Sequence, residues 1–376
     1  MDHGIDNETI ALRDTTRTFV ERLLRPHERE VEESSKLRED LRRSLRATAV
    51  ELGLHAFNMP INVGGPGLSR LAQVVVREQL GQVGVALSDV VGRPPLSLLH
   101  CDEEQRDRYL LPAVRGELSW AFAITEPDAG SDVKSIRTRA TATGDGYVLN
   151  GHKQFISHGA SADFVIVYAK GADERISAFI VDRSTPGFRV GRIEQTMGWR
   201  GYELAELWFD DCAVGSHQLL GPVGEGLTIA LDQINESRLG VAAHCLGIAQ
   251  RALDTAVKHA RERVQFGQAI GSFQGLSWML ADASVRVESA RSLVYSVARA
   301  VDAGRARPTD ISMGKLLATE TAGLVVDACL QVMGGAGFMA DGPMEMLYRD
   351  ARAFRIGEGT SEVQRNQIAR SVLGRS

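Results

Sequence analysis

The chain has 376 residues, of which 44% are hydrophobic and 24% are charged, a composition typical of a folded globular protein of roughly two to three domains. Its formal net charge of -5 argues against a general binder of nucleic acid or of anionic membranes, since such proteins present a basic face to phosphates. No uninterrupted apolar run approaches the length of a membrane span, so we expect no membrane insertion.

The N-terminal stretch "MDHGIDNETIALRD" is acidic and polar, unlike a secretory signal or an arginine-rich transit peptide. We therefore expect a cytoplasmic protein. The four cysteines are far apart and the nine histidines show no ligand spacing, so no metal site is predicted. The cysteines are interpreted as reduced packing residues.

Residues 1–118 are predicted to form an N-terminal helical domain. Apolar residues recur at helical spacing in "LRDTTRTFVERLLRPHEREVEES", "LRRSLRATAVELGL" and "SRLAQVVVREQLGQVGVAL". Prolines and glycines between residues 60 and 67 separate the second segment from the third.

Residues 119–225 are predicted to form a middle β domain, a small sandwich or barrel. Short β-rich segments such as "FVIVYAK", "ISAFIVDR" and "AELWFDD" alternate with turn residues. The segment "GDGYVLNGHKQFIS" predicts a hairpin, with one strand before its Asn-Gly pair and another after it.

Residues 226–376 are predicted to form a C-terminal antiparallel four-helix bundle. The segment from Leu227 to Phe266 can run as one long helix, and its many alanines and glycines permit close helix contact. Helices, then strands, then helices give an α+β fold in three parts.

Near the C-terminus, "RIGEGTSEVQR" places Glu358 between two glycines, where another molecule can approach the backbone closely. Ser361 and Gln364 have the spacing of a capping box, which predicts that a helix begins there. From these residues alone, an acidic surface loop remains the alternative.

Two further segments carry glycine and hydroxyl groups. "WAFAITEPDAGSDV" lies at the first domain boundary, and its Thr125, Gly130 and Ser131 could cradle a polar ring or a phosphate, although a generic turn would also use them. "GGAGF" at Gly334 follows a helical segment, which indicates a helix C-cap rather than a dinucleotide fingerprint.

Taken together, "AFAITEPDAGSD", "QFIS", "RVQFG", "QVMGGAGF" and "IGEGTSEVQR", in this order, closely resemble the acyl-CoA dehydrogenases over nearly the whole chain. The resemblance implies noncovalent flavin adenine dinucleotide (FAD), usually in a homotetramer, and dehydrogenation of an acyl thioester to the trans-2-enoyl thioester. It implies Glu358 as the base for the α-proton, hydride transfer to flavin N5, and an electron-transfer flavoprotein as acceptor.

The same resemblance assigns binding residues by position. Those implied for the cofactor are Phe122, Ile124, Thr125, Gly130, Ser131, Phe155, Ser157, Arg263, Phe266, Gln274, Gln331, Gly334, Gly335, Thr360 and Glu362. Of these, the positions from Arg263 to Gly335 would serve a flavin in the neighbouring subunit. Those implied for the substrate are Ser131, Asn235, Arg238 and Gly359.

Several alternatives stay open at this point. Some members of the family carry their base just before the arginine that matches Arg238, where this chain has Ser237, so the adjacent Glu236 ranks second to Glu358. Gly357 replaces a residue that is often aromatic, which predicts tolerance of branched or cyclic acyl groups. Other possible functions are a dehydrogenase of acyl groups on a carrier protein, a flavin oxidase of the same fold, and a catalytically silent scaffold.

Overall fold

The computed structural model describes residues 3–374 and contains three successive regions. In the first, short helices follow one another with 3-10 and π-helical turns between them. These helices are α1 (Asn7–Phe19), α2 (Glu28–Ser34), α3 (Glu39–Glu51), α4 (Arg70–Leu80), α5 (Val85–Ser88), α6 (Glu103–Gln105) and α7 (Leu111–Val114).

The middle region is a mixed β-sheet of eight strands. The strands are β1 (Trp120–Ala123), β2 (Arg139–Ala142), β3 (Gly146–Ser157), β4 (Phe164–Lys170), β5 (Ile176–Asp182), β6 (Phe188–Ile193), β7 (Leu204–Gly215) and β8 (Leu219–Leu220). Their order is β6-β7-β3-β2-β4-β5-β8, and β1 lies parallel to β4. The strands β4 and β5 bury apolar side chains on both of their faces. One of these faces packs against apolar residues of the first region, so the two regions share a core.

The last region is a helical bundle with one small β-ribbon. It contains α8 (Gly226–Glu262), β9 (Val264–Gln265), β10 (Gln268–Ala269), α9 (Gln274–Asp302), α10 (Pro308–Met333), α11 (Gly335–Phe338), α12 (Pro343–Ala353) and α13 (Ser361–Val372). The α+β fold in three parts is thus confirmed, as is the single long helix after residue 226.

Glycines let α4 and α8 approach at backbone distance. A Cβ added at Gly81, just after α4, would lie 2.1 Å from the carbonyl oxygen of His244, and one added at Gly247 would lie 2.1 Å from that of Glu78. The helix α8 also contains buried alanines, among them Ala242, Ala243 and Ala249. Because small residues permit this close packing, the first helical region and the bundle are joined around α8.

Among the described residues, α10 is long and apolar enough to cross a membrane by length and composition alone. It packs, however, against α8, α9, α12 and α13, and it carries the fully buried Lys315. We therefore interpret α10 as the core helix of the bundle.

The hairpin predicted at Asn150-Gly151 is wrong, because β3 runs straight through both residues. Pairing with β7 shifts register between Leu149 and Gly151, which marks a bulge. A Cβ at Gly151 would lie 2.3 Å from Oγ1 of Thr138. The glycine therefore serves a close approach of neighbouring chain rather than a turn.

The capping box predicted at Ser361 is also wrong, since the N-cap of α13 is Thr360, whose side chain accepts a hydrogen bond from the Val363 amide at 3.2 Å. Ser361 instead donates to Glu320 at 2.7 Å. Gly334 does cap the C-terminus of α10 with φ of 57°, as predicted.

Candidate active site

The loop between α12 and α13 presents Glu358 in an unusual backbone conformation. Glu358 has φ of 54° and Gly359 has φ of 85°, both in the left-handed region. A non-glycine residue persists there only where its surroundings hold it, at a cost of roughly 1–3 kcal/mol. The Ser361 amide donates to the Arg355 carbonyl at 3.0 Å and closes the loop. The conformation is therefore imposed by tertiary contacts.

The carbonyl groups of this loop accept hydrogen bonds from three side chains, which lie on α8, α10 and α13. Arg238 Nε donates to the Glu358 carbonyl at 3.1 Å, and Lys315 Nζ donates to the Gly359 carbonyl at 2.9 Å. Gln364 Nε2 donates to both, at 3.3 and 2.9 Å. Within residues 3–374 the Glu358 amide itself donates to no protein acceptor, so it is available to a bound molecule.

The carboxyl group of Glu358 is half-buried and lies among charged groups. Burial raises its pKa above the usual range, while Arg93 and Arg238 lower it. Glu236 raises the pKa further, and Lys315 lowers it. Burial outweighs the three cations, so the carboxylate has a raised proton affinity, as a general base requires.

Glu236, the second candidate for the base, is held in ion pairs. Its side chain is almost buried, and its Oε1 lies 3.1 Å from Nη1 of Arg93 and 3.5 Å from Nη1 of Arg70. Two guanidinium groups on one carboxylate occupy its lone pairs. The geometry therefore favours Glu358 over Glu236.

The sequence interpretation missed Lys315. This lysine is fully buried, and burial lowers its pKa to about 8, against opposing effects of Cys245 and Glu358. Its only signal in the sequence is an isolated lysine in the apolar helix α10. Since its ammonium group bonds the Gly359 carbonyl, it positions the loop that carries Glu358.

A second missed pair supports the loop after β1. The carboxylate of Glu126 accepts hydrogen bonds from Lys153 Nζ at 2.7 Å, from Thr138 Oγ1 at 2.6 Å, and from the amides of Arg137 and Thr138. Lys153 Nζ also donates to the Ile124 carbonyl at 3.1 Å. Both charges are buried, so this pair fixes the loop that contains several of the implied cofactor residues.

The implied cofactor residues on β1 and β3 form a shared surface. Phe155 has φ of 59°, and 54% of it is exposed, although it lies within β3. Phe122 is half-buried against Tyr168, with ring centroids 5.0 Å apart. The Thr125 carbonyl accepts a hydrogen bond from the Gln154 amide at 3.0 Å, which joins the loop after β1 to β3. An exposed aromatic ring beside a rigid loop provides an apolar face for a planar ligand.

Other predicted residues fall beside these features. Gly130 and Ser131 are exposed, and a Cβ added at Gly130 would meet no atom within 4 Å. Ser157 lies on β3 and is half-buried. Asn235 Oδ1 accepts from Arg238 Nη1 at 2.9 Å, so the implied substrate residues on α8 contact each other and, through Arg238, the Glu358 loop.

The remaining implied cofactor residues lie apart from Glu358 in this chain. No hydrogen bond or ion pair within residues 3–374 joins them to its loop. They occupy the exposed ribbon and start of α9, and the exposed end of α10: Arg263, Phe266, Gln274, Gln331, Gly334 and Gly335. Thr360 and the exposed Glu362 lie at the start of α13, next to the loop.

Three sequence models of one family together match most of the chain. They are the acyl-CoA dehydrogenase N-terminal domain over residues 6–117, the middle domain over residues 121–212 and the C-terminal domain over residues 224–373.

Individual proteins show the same similarity. The chain is 37% identical to an acryloyl-CoA reductase (NADH) of Anaerotignum propionicum, covering 100% of this chain and 97% of that protein. It is 36% identical to subunit CarC of the caffeyl-CoA reductase-Etf complex of Acetobacterium woodii, covering 92% of each. A solved acyl-CoA dehydrogenase from Bacillus anthracis, complexed with FAD, is 30% identical with a TM-score of 0.91 and covers 100% of this chain and 68% of that one.

Proposed function

Because the chain belongs to the acyl-CoA dehydrogenase family, we propose that it oxidises an acyl-CoA thioester to the trans-2-enoyl-CoA, with FAD as cofactor and Glu358 as the base. The observation that carries this assignment is the Glu358 loop. It presents a half-buried carboxyl group of raised pKa and an unpaired backbone amide on the same residue.

Glu358 removes the proton from the carbon next to the thioester carbonyl. This C–H group is a far weaker acid than a carboxylic acid, so a carboxylate with an ordinary pKa would be too weak a base to remove its proton. Burial raises the pKa of Glu358 and narrows this gap. Arg93 and Arg238 lower the pKa of Glu358 and so limit this rise, which favours the carboxylate form that accepts the proton.

The Glu358 amide stabilises the negative charge that develops on the thioester oxygen. It donates to no acceptor in residues 3–374. Arg238, Gln364 and Lys315 donate to the carbonyl groups of Glu358 and Gly359 and so hold the peptide in place. A donor held in advance costs no reorganisation in the transition state, and losing one costs roughly 3–4 kcal/mol.

The residues present fit FAD. The exposed Phe155 ring and the partly buried Phe122 offer an apolar face, and the Glu126–Lys153 pair holds the adjoining loop rigid. Open backbone at Gly130, Gly334 and Gly335 leaves room for phosphates, since an added Cβ meets nothing there. When bound, FAD supplies the acceptor for the hydride that leaves the β-carbon.

A homotetramer is part of the proposal. Large apolar side chains stand exposed on the ribbon, on α9 and on α11, among them Phe266 at 92%, Phe338 at 73% and Trp278 at 61%. Such side chains are typical of subunit interfaces. The same segments contain Arg263, Gln274 and Gln331, which supports binding of a flavin in a neighbouring subunit.

We also propose an electron-transfer flavoprotein as the redox partner, supported by the relative that belongs to an Etf complex. An enzyme accelerates both directions of its reaction, so enoyl-CoA reduction is the same chemistry with a different electron donor. A cytoplasmic location completes the proposal, and the unpaired cysteines, which suit a reducing compartment, support it.

The test is anaerobic reduction of the purified yellow holoprotein by a panel of CoA and carrier-protein thioesters. Substrates should bleach the flavin absorbance, and Glu358→Gln should slow bleaching by roughly 10²–10⁴-fold. Glu104→Gln, an exposed glutamate on α6, is the control and should react at the wild-type rate. Full activity of Glu358→Gln would refute the assignment of the base, and a reaction confined to carrier-bound thioesters would refute the CoA substrate.

A further inference from the structure

A small space lies between α4, α8 and the loop after residue 91, and its enclosed part has room for about one atom the size of a water oxygen. Three guanidinium groups line it, those of Arg70, Arg77 and Arg93, together with one carboxylate, that of Glu236. Arg70 and Arg77 are seven residues apart on α4, so they lie on the same face of that helix. The lining therefore contains three cations and a single carboxylate.

Arg77 is the unpaired cation of this cluster. Its Nε is buried and donates to no protein acceptor, and no ion pair of Arg77 is found within residues 3–374. Burial and the charge of Arg93 lower the pKa of Arg77 to about 10, so the guanidinium group is charged at neutral pH. Asp89, the carboxylate with the largest effect on Arg77, is already bonded to His158 at 2.8 Å. A poorly solvated charge without a partner destabilises a fold, so Arg77 needs a further counter-charge.

Glu236 cannot neutralise all three arginines. Its Oε1 lies 3.1 Å from Nη1 of Arg93 and 3.5 Å from Nη1 of Arg70, and its Oε2 lies 3.3 Å from Nη1 of Arg93. Gln73, the other side-chain acceptor of the lining, accepts a hydrogen bond from Arg70 at 2.7 Å. Both acceptors are thus engaged with Arg70 or Arg93, whereas Arg77 donates to neither. The lining therefore has a net positive charge and donors to spare.

Gly240 on α8 lets Arg93 lie against the helix. A Cβ at this position would lie 2.5 Å from Nη1 of Arg93. Glycine inside a helix is less stable than alanine, so its presence in α8 has a packing reason. The guanidinium group of Arg93 is thereby brought into the same space as that of Arg77, although the two charges repel each other.

From this charge and geometry we propose that the space binds a single halide ion, such as chloride, between Arg77 and Arg93. An anion offsets the repulsion between the two guanidinium groups and accepts hydrogen bonds from their free donors. A water molecule fits the same space but leaves the positive charge uncompensated. Carboxylates, phosphate and sulfate have several heavy atoms and exceed the room available. The site does not depend on the proposed function.

The first test is anomalous diffraction from crystals of the FAD-loaded protein soaked in sodium bromide, because anomalous scattering distinguishes bromide from water. The wild type should show an anomalous peak between Arg77 and Arg93, and Arg77→Leu should show none there. A wild-type site that contains water and gives no anomalous peak would overturn the inference.

The second test measures thermal midpoints in sodium bromide and in sodium gluconate at equal ionic strength, with the exposed Arg305→Leu as a matched control. In gluconate, Arg77→Leu should be at least as stable as the wild type, because it removes a poorly solvated charge. Relative to Arg77→Leu, bromide should raise the midpoints of the wild type and of Arg305→Leu by a few degrees and in a saturable manner, since a ligand stabilises the fold that binds it. Equal responses of all three proteins would indicate an adventitious ion only and would overturn the inference.

The halide also acts on the proposed base, and this part of the inference rests on the proposed function. Arg93, Arg238 and Lys315 lower the pKa of Glu358, while Glu236 and burial raise it. An anion beside Arg93 offsets part of the effect of this arginine. The pKa of Glu358 should therefore be higher when the halide is bound.

The measurement is kcat/KM against pH for butyryl-CoA, which reports the free enzyme, in bromide and in gluconate at equal ionic strength. The rise of kcat/KM should lie at higher pH in bromide for the wild type and for Arg305→Leu, and at the same pH in both salts for Arg77→Leu. A wild-type profile that stays in place while bromide binds would overturn the link to Glu358. A protein that binds bromide but oxidises no acyl-CoA would support the halide site and show that the proposed function is wrong.

Discussion

Nε of Arg238 lies 3.1 Å from the carbonyl oxygen of Glu358, a residue 120 positions further along the chain. Arg238 is buried on α8, and its Nη1 also bonds Asn235 and Gln367, at 2.9 and 3.2 Å. One guanidinium group thus fixes the direction of the Glu358 peptide and, through its charge, lowers the pKa of the Glu358 carboxyl group. The same side chain therefore contributes both to the position and to the basicity of the base.

These two effects of Arg238 can be separated with two variants. Arg238→Lys keeps the positive charge but loses the planar fork, whereas Arg238→Gln loses the charge. Both should lower kcat/KM roughly tenfold or more, since a hydrogen bond to a charged donor is lost. Since the charge of Arg238 lowers the pKa of Glu358, only Arg238→Gln should shift the pH profile.

The measurement is kcat/KM against pH for one acyl-CoA. In the wild type it should rise with pH through the raised pKa of Glu358, because the carboxylate is the reactive form. In Arg238→Gln the rise should move to higher pH, and in Arg238→Lys it should stay close to the wild-type position. The same profile for both variants would contradict an electrostatic effect of this arginine on the base.

Lys315→Met should reduce activity without reducing stability at neutral pH. The variant removes the donor to the Gly359 carbonyl, 2.9 Å away, and should lower kcat roughly tenfold. It also removes a buried charge. The pKa of Lys315 is lowered to about 8 in the folded chain, below roughly 10.4 when unfolded, so between these values the unfolded state binds more protons and wild-type stability rises with pH.

The thermal midpoint of Lys315→Met relative to wild type should therefore be highest near pH 7.5 and decline by pH 9.5. Lys134→Met, at an exposed lysine, is the control and should show neither effect. A Lys315→Met protein that loses stability at pH 7.5 and retains full kcat would show that the lysine supports the bundle rather than the loop.

Much of the fold was predictable because its longest elements have strong local patterns. The helix α8 shows helical periodicity over 37 residues, and its glycines and alanines indicated the close packing now seen at Gly81 and Gly247. The Asn-Gly pair at residues 150 and 151 misled because the same residues serve a turn or a bulge. Only the neighbouring Thr138 decides between them.

The residues of the candidate site likewise divide into those that the sequence predicts and those that it does not. Glu358 was predictable from its flanking glycines and from a family motif contained within a few residues. Lys315, Arg93 and Lys153 were not, because each acts on a partner far along the chain: Lys153 on Glu126, 27 positions away, and Arg93 on Glu236, 143 positions away. Such pairs are created by tertiary packing and have no local spacing to find.

Lys153→Met should destabilise the protein and weaken FAD retention. It leaves the buried Glu126 carboxylate without its counter-charge, which typically costs roughly 3–5 kcal/mol. The pKa of Lys153 is lowered to about 8 by burial, against the pull of Glu126, so the pair is charged at neutral pH. Denaturant unfolding and the bound fraction of FAD after gel filtration measure the two effects.

The double variant Lys153→Met with Glu126→Gln is the control for this pair. It removes the isolated charge, and glutamine can still accept from the Thr138 hydroxyl, so it should recover part of the stability lost in the single variant. Double and single variants of equal stability would contradict direct coupling between the two side chains.

Asp350→Asn should stabilise the protein at alkaline pH. Asp350 on α12 is buried, and burial raises its pKa to about 7, although the Trp199 amide donates to it at 2.6 Å. Unfolded aspartate has a pKa of roughly 3.9. Between these values the native state binds more protons, so this carboxyl group makes stability fall as pH rises.

Asparagine retains an oxygen for the Trp199 amide and carries no charge, so the variant should lack that fall in stability. Its thermal midpoint should match the wild type near pH 4.5 and exceed it by a few degrees at pH 8, since each kcal/mol shifts the midpoint by roughly 2–4 °C in a domain of 150–250 residues. Comparing the two proteins at each pH cancels the other titrating groups. A variant that is less stable at both pH values would show that the Asp350 charge is needed for the contact with Trp199.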